Sequence, residues 1–211
     1  MSSLIVDNVS YTYPGENNSV IRNFTYEFSE GNIYWLKGAN GIGKTTLLEL
    51  IGGFRSDYEG SIQWRNRKID TADIAFLPAQ DELFHELNLE EHIAVFAQLF
   101  GYDGERHQKY YETCVSYMER LNLSFTDSLV ETYSKGMKEK LLFSLIMARF
   151  SSILLLDEPL TGADEKSLKE AESIIRERSI ESICIIAHHN RDFMERLHSN
   201  IVDMDVLVGK K

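Results

Sequence analysis

The sequence GANGIGKT at residues 38–45 has the residue types and the spacing of a loop that binds phosphate. It matches the pattern GxxxxGK[ST] at every fixed position. In such a loop, glycines let successive backbone N–H groups turn toward one anion, and the following helix directs its positive end at the same point. Lys44 would supply a cation to the β and γ phosphate oxygens, and the Thr45 hydroxyl would bind Mg²⁺. The predicted nucleotide contacts are Gly38, Ala39, Asn40, Gly41, Ile42, Gly43, Lys44, Thr45 and Thr46.

A pair of carboxylates follows an apolar run further along the chain. Ile153–Leu156 precedes Asp157 and Glu158, so both acids are expected at the carboxyl end of a buried strand. Ligands of open α/β sheets bind at that edge. Asp157 is expected to hold Mg²⁺ through a water beside Lys44 and Thr45. Glu158 is expected to act as general base on a water in line with the γ phosphate. The pair therefore predicts hydrolysis of a nucleoside triphosphate at the phosphate loop.

The elements that position these residues alternate between short apolar runs and segments with helical spacing. Strands are predicted at Leu4–Val9, Val20–Phe28, Asn32–Lys37, Ser61–Trp64, Ile74–Leu77, Ile153–Asp157 and Ile183–Ala187, with a terminal strand pair within Ile201–Val208. Helices are predicted at Thr45–Ile51, Leu89–Phe100, Glu105–Leu121, Ser134–Phe150, Asp164–Arg178 and Asp192–His198. Buried strands that alternate with helices favour a parallel α/β sheet, here interrupted by an all-helical insert.

Composition restricts the class of protein. The chain has 211 residues, of which 43% are apolar, so it can bury the core of one large domain. A formal net charge of −11 argues against nucleic acid as a partner, because such a surface repels phosphate groups. The sequence has no run of about 18 apolar residues that would cross a bilayer, and its start has no secretory signal pattern. Cys114 and Cys184 are expected to be buried, reduced thiols.

Two further segments resemble motifs of the nucleotide-binding subunits of ABC transporters, and the resemblance extends along the whole chain. Tyr133–Met137, YSKGM, occupies the place of the signature LSGGQ, with Ser134 and Gly136 at its serine and second glycine. Leu160–Asp164, LTGAD, resembles the D-loop of the family. The resemblance implies that Ser134 and Gly136 contact the γ phosphate held by an opposite subunit. It also implies that Asp164 lines the seam between the two subunits.

The segment after the strand at residues 183–187 resembles the family's switch-histidine segment. Two histidines compete for the role, and the following sequence favours His189, with His188 where Thr or Ser is usual. The switch histidine would bond the γ phosphate and order the general base and the water. The family also has a glutamine that meets Mg²⁺ and the water. Counting back from Leu83 places it at Ala79, whereas residue type places it at Gln80.

The resemblance says less about the roles of two further residues, Tyr13 and Lys135. Tyr13, rather than Tyr11, matches the aromatic residue that stacks on adenine, a contact that needs only an exposed ring. Lys135 departs from the usual glycine of the signature. Its ammonium group would lie in solvent or assist the phosphate contact, and the first arrangement is favoured.

The resemblance implies a fold for the whole sequence. Residues 1–211 would form a single ABC ATPase domain of the α/β class, with a P-loop NTPase core. Its mixed β-sheet would combine N-terminal antiparallel strands with a parallel RecA-like sheet. Residues 1–82 and 151–211 would form the catalytic α/β core, and residues 83–150 an inserted helical subdomain that contains the signature loop.

The resemblance also implies an ATPase that uses ATP and Mg²⁺ and acts as an ATP-dependent homodimer or as a dimer with a related ATPase subunit. It would power a separate integral-membrane permease from the cytoplasm, as a peripheral protein on the inner face of the cell membrane. The ending at Gly209-Lys210-Lys211, without an appended regulatory domain, favours export. Two alternatives stay open: an ABC-type ATPase of a soluble assembly, and a nucleotide-sensing module with little turnover.

Overall fold

The computed structural model of the protein describes residues 2–80 and 82–208. In chain order its strands are β1 (Ser3–Tyr11), β2 (Ile21–Ser29), β3 (Asn32–Lys37), β4 (Glu59–Trp64), β5 (Arg67–Lys68), β6 (Ile74–Leu77), β7 (Ile153–Asp157), β8 (Ile183–Ala187) and β9 (Asn200–Asp203). Its helices are α1 (Lys44–Ile51), α2 (Leu89–Leu99), α3 (Gly104–Arg120), α4 (Lys135–Met147), α5 (Glu165–Ser179), α6 (Arg191–Arg196) and α7 (Met204–Leu207). Single 3₁₀ turns occur at Thr71–Asp73 and Val130–Thr132.

An antiparallel sheet has the strand order β2-β1-β4-β5. In β1, buried Leu4 and Val6 alternate with more exposed neighbours, which is the pattern of a strand with one face on the core. Val6 pairs with Tyr26 on β2 and with Ile62 on β4, so β1 lies between those two strands. The register of β1 shifts after Val6 against β2, and this irregularity interrupts the alternation of buried and exposed residues along the strand.

A parallel sheet has the order β6-β7-β8-β3-β9. Strands β7 and β8 are buried along their full length, as expected for strands of a parallel sheet with both faces covered. Ala187 of β8 pairs with Leu36 of β3 on one side and with Asp157 of β7 on the other. The carboxyl ends of β3 and β7 therefore lie at the same edge of the sheet, on either side of β8.

Residues 2–76, 151–157 and 179–208 form one compact unit, named here the α/β unit. Its core combines apolar side chains of both sheets with those of α1, and the absence of exposed area on them shows a closely packed interior. Members of this core include Leu4, Val6, Phe24, Phe28, Leu36, Leu47, Trp64, Leu155, Ile185 and Val202. This packing fixes the position of α1 relative to the sheet edge where β3 and β7 end.

Residues 77–80, 82–150 and 158–178 form a second compact unit, named here the helical unit. Residues 140–147 of α4 are all buried, and the buried Tyr110 hydroxyl of α3 donates a 2.9 Å hydrogen bond to the Leu145 carbonyl oxygen. None of the helices formed by residues 2–80 and 82–208 has both the length and the apolar composition needed to cross a bilayer. The subdomain limits inferred from the sequence stay a prediction.

The terminal strand pair predicted within Ile201–Val208 is wrong. The structure has a short strand, β9, followed directly by the helical turn α7. The Asp203 carboxylate accepts a 3.3 Å hydrogen bond from the Val206 N–H and caps the first turn of α7. An aspartate in this position favours a helix start, because its side chain replaces a missing backbone acceptor.

Candidate functional site

The phosphate loop, residues 38–45, leaves β3 and enters α1 at Lys44. Gly43, just before the helix, has a φ of +108°, a backbone conformation that glycine adopts at no steric cost. A Cβ atom on Gly43 would lie 2.7 Å from Cδ1 of Ile21, far inside normal carbon contact distance. The last glycine of the motif is therefore required by the turn and by the packing of the loop against β2.

The Lys44 ammonium group lies over the phosphate loop. Its Nζ donates hydrogen bonds of 3.0 and 3.1 Å to the carbonyl oxygens of Gly38 and Ala39. Helix α1, which the structure describes in full, has no acidic residue in its first turn. The positive end of the helix dipole and the ammonium group thus act on the same region, and Thr45 is exposed there. This arrangement can bind a polyphosphate.

An open cleft of about 440 Å³ extends from the phosphate loop to the aromatic ring of Tyr13. The residues that line it are Tyr13, Val20, Asn40, Gly41, Gly43, Lys44, Thr45 and Thr46. The hydroxyl groups of Tyr13 and Thr46 are 2.7 Å apart, and this hydrogen bond joins the aromatic residue to the first turn of α1. The cleft has the size of ordinary ligand sites and brings together the residues predicted for phosphate and for base.

The two predicted carboxylates follow one another at the carboxyl end of β7. Asp157 is 2% exposed, and its pairing with Ala187 places it two strands away from the end of β3, where the phosphate loop begins. Glu158 has a φ of +49°. Residues other than glycine adopt this conformation at an energetic cost, and such strain is concentrated at functional sites. The strain supports a functional role for Glu158.

The residues of the α/β unit fit a magnesium ion. Magnesium prefers oxygen ligands and often keeps several waters, so that one or two protein oxygens suffice. The Asp157 carboxylate is nearly inaccessible to solvent, and a charge in that position requires compensation by hydrogen bonds or by a cation. The exposed Thr45 hydroxyl lies on the adjacent first turn of α1. Thr45 and Asp157, the predicted ligands in this unit, therefore both offer the oxygen atoms that Mg²⁺ prefers.

The structure distinguishes the two histidines after β8. His188 is 4% exposed, its Nδ1 accepts a 2.9 Å hydrogen bond from the Asn190 N–H, and its ring packs on Phe193 with centroids 4.9 Å apart. The ring of His189 stacks on His188 with centroids 5.3 Å apart and is exposed. A phosphate contact requires an accessible ring, which His189 has, and the assignment of His189 as the switch histidine stays a prediction.

The segment predicted to be the signature, residues 133–137, leads into helix α4 of the helical unit. Ser134 is the N-cap of this helix, and its exposed hydroxyl accepts a 3.3 Å hydrogen bond from the Met137 N–H. Lys135 is 76% exposed and lies 3.5 Å from the carboxylate of Glu139, one helical turn away. The N-terminal end of α4 therefore presents a hydroxyl and free backbone N–H groups to an anion, while the Lys135 side chain extends into solvent.

The segment predicted to be the D-loop packs directly against the start of α4. A Cβ atom on Gly136 would lie 2.9 Å from the Gly162 carbonyl oxygen, so the two backbones are in contact. The Glu139 carboxylate accepts hydrogen bonds from the Gly162 N–H at 2.8 Å and from the Thr161 hydroxyl at 3.2 Å. Helix α4 thus holds this loop through a backbone contact and through the carboxylate of Glu139, whose two oxygens each accept a hydrogen bond.

Both carboxylate oxygens of Asp164 have partners within the helical unit. One accepts a 2.9 Å hydrogen bond from the Ser167 N–H, which caps α5, and the other accepts 2.8 Å bonds from Lys140 Nζ and the Ser167 hydroxyl. The Lys140 hydrogen bond, followed by those from Ser167, holds the pKa of Asp164 well below its usual range. These contacts indicate a structural role for a residue that the resemblance places at the subunit seam.

Gln80 and Ala79, the alternatives for the glutamine of the family, both lie on the bend after β6, and both are exposed. The structure therefore does not separate them by burial, and a role for Gln80 toward Mg²⁺ and water stays a prediction. One residue near the cleft was missed by sequence reasoning. Arg55, four residues after α1, contacts the Tyr13 ring, although its sequence position has no motif and no periodicity that would indicate this.

Comparison with known proteins supports the sequence resemblance. A family model described as ABC transporter matches residues 21–161. The uncharacterised ABC transporter ATP-binding protein YhaQ of Bacillus subtilis is 29% identical over 94% of this chain and 66% of its own length. The uncharacterised ABC transporter ATP-binding protein YybJ of the same organism is 26% identical over 98% of this chain and 99% of its own length. The human glucosylceramide transporter ABCA12 is 31% identical over 87% of this chain but only 7% of its own length.

Solved structures show the same fold. One described as an ATP-binding subunit of an ABC transporter superposes with a TM-score of 0.83 at 22% identity, covering 95% of this chain and 86% of the other. A putative ABC transporter ATP-binding protein from Pyrococcus furiosus has a TM-score of 0.80 at 21% identity and is covered in full. The α/β P-loop NTPase fold with an antiparallel and a parallel sheet is confirmed. The family model matches more than half of the chain, and the fold and the cleft at the phosphate loop agree with that match. The chain therefore belongs to the ABC transporter family, as an ATP-hydrolysing ABC ATPase domain.

Proposed function

We propose that the chain powers a separate integral-membrane permease through ATP-driven dimerisation, in the direction of export. The dimer forms from two copies, or from one copy and a related ATPase subunit. One observation supports this most: a single chain has both a phosphate cleft at Lys44 and, on α4, an exposed helix N-terminus capped by Ser134. The cleft and the N-terminus of α4 would each supply only part of the hydrogen-bond donors that a triphosphate needs. Two copies arranged head to tail would complete two such sites, each made of the cleft of one copy and the α4 N-terminus of the other.

Binding in this proposal uses the chain's own donors. The N–H groups of the phosphate loop and the Lys44 ammonium group take the β and γ phosphates, and the ring of Tyr13 stacks on adenine. Ser134 and Gly136 of the opposite subunit bond the γ phosphate. The triphosphate then links the two subunits, because its charge is fully satisfied only when both contribute donors.

Hydrolysis in this proposal depends on Glu158 and His189. Glu158 takes the proton of the attacking water, and His189 bonds the γ phosphate and keeps Glu158 oriented. Thr45 and Asp157, with Gln80, would hold Mg²⁺, which supplies neutralisation of charge on the phosphate oxygens. After hydrolysis the bridge between the subunits is lost and the dimer opens, which is the motion that the permease would use.

The names of the relatives support transport and suggest a cargo class. YhaQ and YybJ are named as ABC transporter ATP-binding proteins. ABCA12 is named as a glucosylceramide transporter, and ABCA3 of Rattus norvegicus, 29% identical over 86% of this chain, as a phospholipid-transporting ATPase. On this basis we propose a lipid-like or otherwise amphiphilic cargo. The chain would lie at the cytoplasmic face of the membrane, held there by the permease.

The first test is the variant Glu158→Gln with ATP and Mg²⁺. We expect it to bind ATP, to lose hydrolysis and to accumulate as a dimer, measured by size-exclusion chromatography with light scattering. The double variant that adds Lys44→Ala should stay monomeric, because the triphosphate no longer binds. A Glu158→Gln protein that binds ATP and stays monomeric at every protein concentration would contradict the proposed composite site.

A mixing experiment tests the head-to-tail arrangement directly. Lys44→Ala removes the phosphate cleft of one copy, and Ser134→Glu blocks the signature of the other, so neither variant alone should hydrolyse ATP. An equal mixture should recover about a quarter of the wild-type rate, because about half of the dimers are mixed and each has one intact site. No recovery, from variants that both keep their folded far-UV spectrum, would argue against sites shared between subunits.

A further inference from the structure

Arg55 lies beside the ring that is proposed to stack on the base. Its guanidinium carbon is 4.7 Å from the ring centroid of Tyr13 and 5.6 Å from that of Tyr11. Its Nη1 donates a 3.1 Å hydrogen bond to the Tyr11 hydroxyl. The Arg55 cation therefore contacts two aromatic residues of the α/β unit at once, at distances where ring and cation attract each other.

Glu49 fixes the guanidinium group in this position. Its carboxylate accepts a 2.5 Å hydrogen bond from Arg55 Nε, and this hydrogen bond raises the pKa of Arg55 above its already high usual value. Both side chains are only partly exposed, at 30% for Arg55 and 24% for Glu49, so the pair is better shielded than an ordinary surface ion pair. Glu49 is also on α1, the helix that begins with Lys44.

The ring of Tyr13 is thus constrained at three points. Tyr11, which is 5% exposed, packs edge-to-face against it with centroids 5.2 Å apart and planes at 79°. The Tyr13 hydroxyl bonds the Thr46 hydroxyl at 2.7 Å, and Arg55 contacts its aromatic surface. Thr46 and Glu49 both belong to α1. The phosphate loop and the aromatic ring are therefore held by the same helix.

We propose that Arg55, fixed by Glu49, is a positioning residue that sets the orientation of the Tyr13 ring for stacking on the nucleobase. Arg55 lines a different cavity from the cleft at the phosphate loop, so the proposal assigns it to base binding and not to phosphoryl chemistry. Ordering the ring before the nucleotide arrives reduces the entropy lost on binding. The proposal rests on the proposed function, because it takes Tyr13 as the base contact.

The experiment compares ATP with tripolyphosphate, which has the phosphates but no base, on the full chain with Mg²⁺. For Arg55→Gln we expect the dissociation constant and KM for ATP to rise by about 3- to 10-fold, the range of a partly shielded cation–ring contact. Tripolyphosphate affinity and the kcat for ATP should change less than about twofold. Arg55→Lys keeps the cation and should recover part of the ATP affinity, and Glu49→Gln should shift ATP affinity in the same direction as Arg55→Gln.

Lys68 provides a matched control. It lines the same cavity of about 120 Å³ as Arg55, on β5, and also contributes a single positive charge there. Lys68→Gln should leave ATP and tripolyphosphate affinities unchanged, which separates a local effect of Arg55 on the ring from a general effect of charge. Thermal unfolding of each variant shows whether any loss of affinity follows from loss of stability.

The outcomes distinguish this inference from the proposed function. If Arg55→Gln lowers the affinities for ATP and tripolyphosphate equally, or lowers kcat, Arg55 has a merely structural role and the inference is overturned. Unchanged ATP affinity in Arg55→Gln, together with a selective loss for ATP in Tyr13→Ala, would overturn the inference and leave base stacking intact. If Tyr13→Ala also keeps the preference for ATP over tripolyphosphate, the base contact in the proposed function fails.

Discussion

The indole Nε1 of Trp35 donates a 2.9 Å hydrogen bond to the backbone carbonyl oxygen of His188. Trp35 is on β3, adjacent to β8, so this bond ties the turn after β8 to the strand that leads into the phosphate loop. His188 is fixed further by its ring contacts with Asn190 and Phe193. The next side chain, His189, is exposed. Because His188 is held in place, the backbone position of His189 is held as well.

The two histidines are therefore expected to respond differently to substitution. His189→Ala should lower kcat for ATP hydrolysis by about 100-fold, as for loss of a group that stabilises the transition state, and leave stability nearly unchanged. His188→Ala should mainly lower the free energy of unfolding, by about 1–3 kcal/mol, because it removes a buried hydrogen-bonding ring. Phosphate release and urea unfolding measure the two effects. A catalytic loss of equal size in a fully stable His188→Ala variant would reverse the assignment.

Ser134 is expected to have two separable roles. Ser134→Ala should lose the N-cap of α4, at a cost of about 1 kcal/mol, and also the proposed phosphate contact. Ser134→Asp keeps a capping side chain but places a negative charge against the phosphate, so stability should be retained while ATPase activity is lost. Lys135→Ala is the control, since its exposed pair with Glu139 contributes under about 0.5 kcal/mol. An active Ser134→Asp variant would exclude the phosphate contact.

Asp164 should make stability depend on acid pH. Its pKa is lowered in the folded chain, chiefly by the Lys140 hydrogen bond, so its contribution to stability is present above the unfolded pKa of about 3.9 and is lost as pH falls below it. Asp164→Asn keeps an N-cap without the charge. The stability difference between wild type and this variant should therefore be present at neutral pH and shrink on acidification below about pH 4. Urea unfolding from neutral to acidic pH measures it, and a difference independent of pH would contradict the ion pair.

Cys114 should be unreactive in the folded chain. Burial raises the pKa of its thiol to about 12, so at neutral pH it is protonated and has no exposed area. Since the thiolate is the reactive form, Ellman's reagent should not modify it until the chain is unfolded. Cys184 is also buried, and both thiols should react in urea. Rapid modification of Cys114 under native conditions would contradict its burial and show that α3 opens locally.

The parts of the fold that depend on local sequence could be predicted. The phosphate loop is a continuous motif, and the role of each of its glycines and of its lysine follows from neighbouring residues. The apolar runs of β7 and β8 indicate strands clearly, because strands of a parallel sheet are buried on both faces. The error at Ile201–Val208 has a local cause as well. An apolar run of that length fits a strand or a helix, and the cap by Asp203 decides for a helix after residue 203.

Arg55 could not be found from the sequence. Its aromatic partners, Tyr11 and Tyr13, are more than forty positions earlier in the chain, and the contact requires the sheet and α1 to be folded. The following sequence already favours His189, but the difference in burial between His188 and His189 is a property of tertiary packing that the sequence does not show. Chemistry that lies within one loop is visible in the sequence, whereas the residues that orient it come from distant segments.

The direct backbone contact between Gly136 and Gly162 limits how the helical unit can respond to nucleotide. At Gly136 a Cβ atom would lie 2.9 Å from the Gly162 carbonyl oxygen, and packed backbone at this distance transmits a shift instead of yielding to it. With Glu139 bonded to the same loop, residues 161–162 and the first turn of α4 are expected to behave as one rigid body. A movement that begins at either loop is then shared by both, so the two motifs change position together and never one at a time.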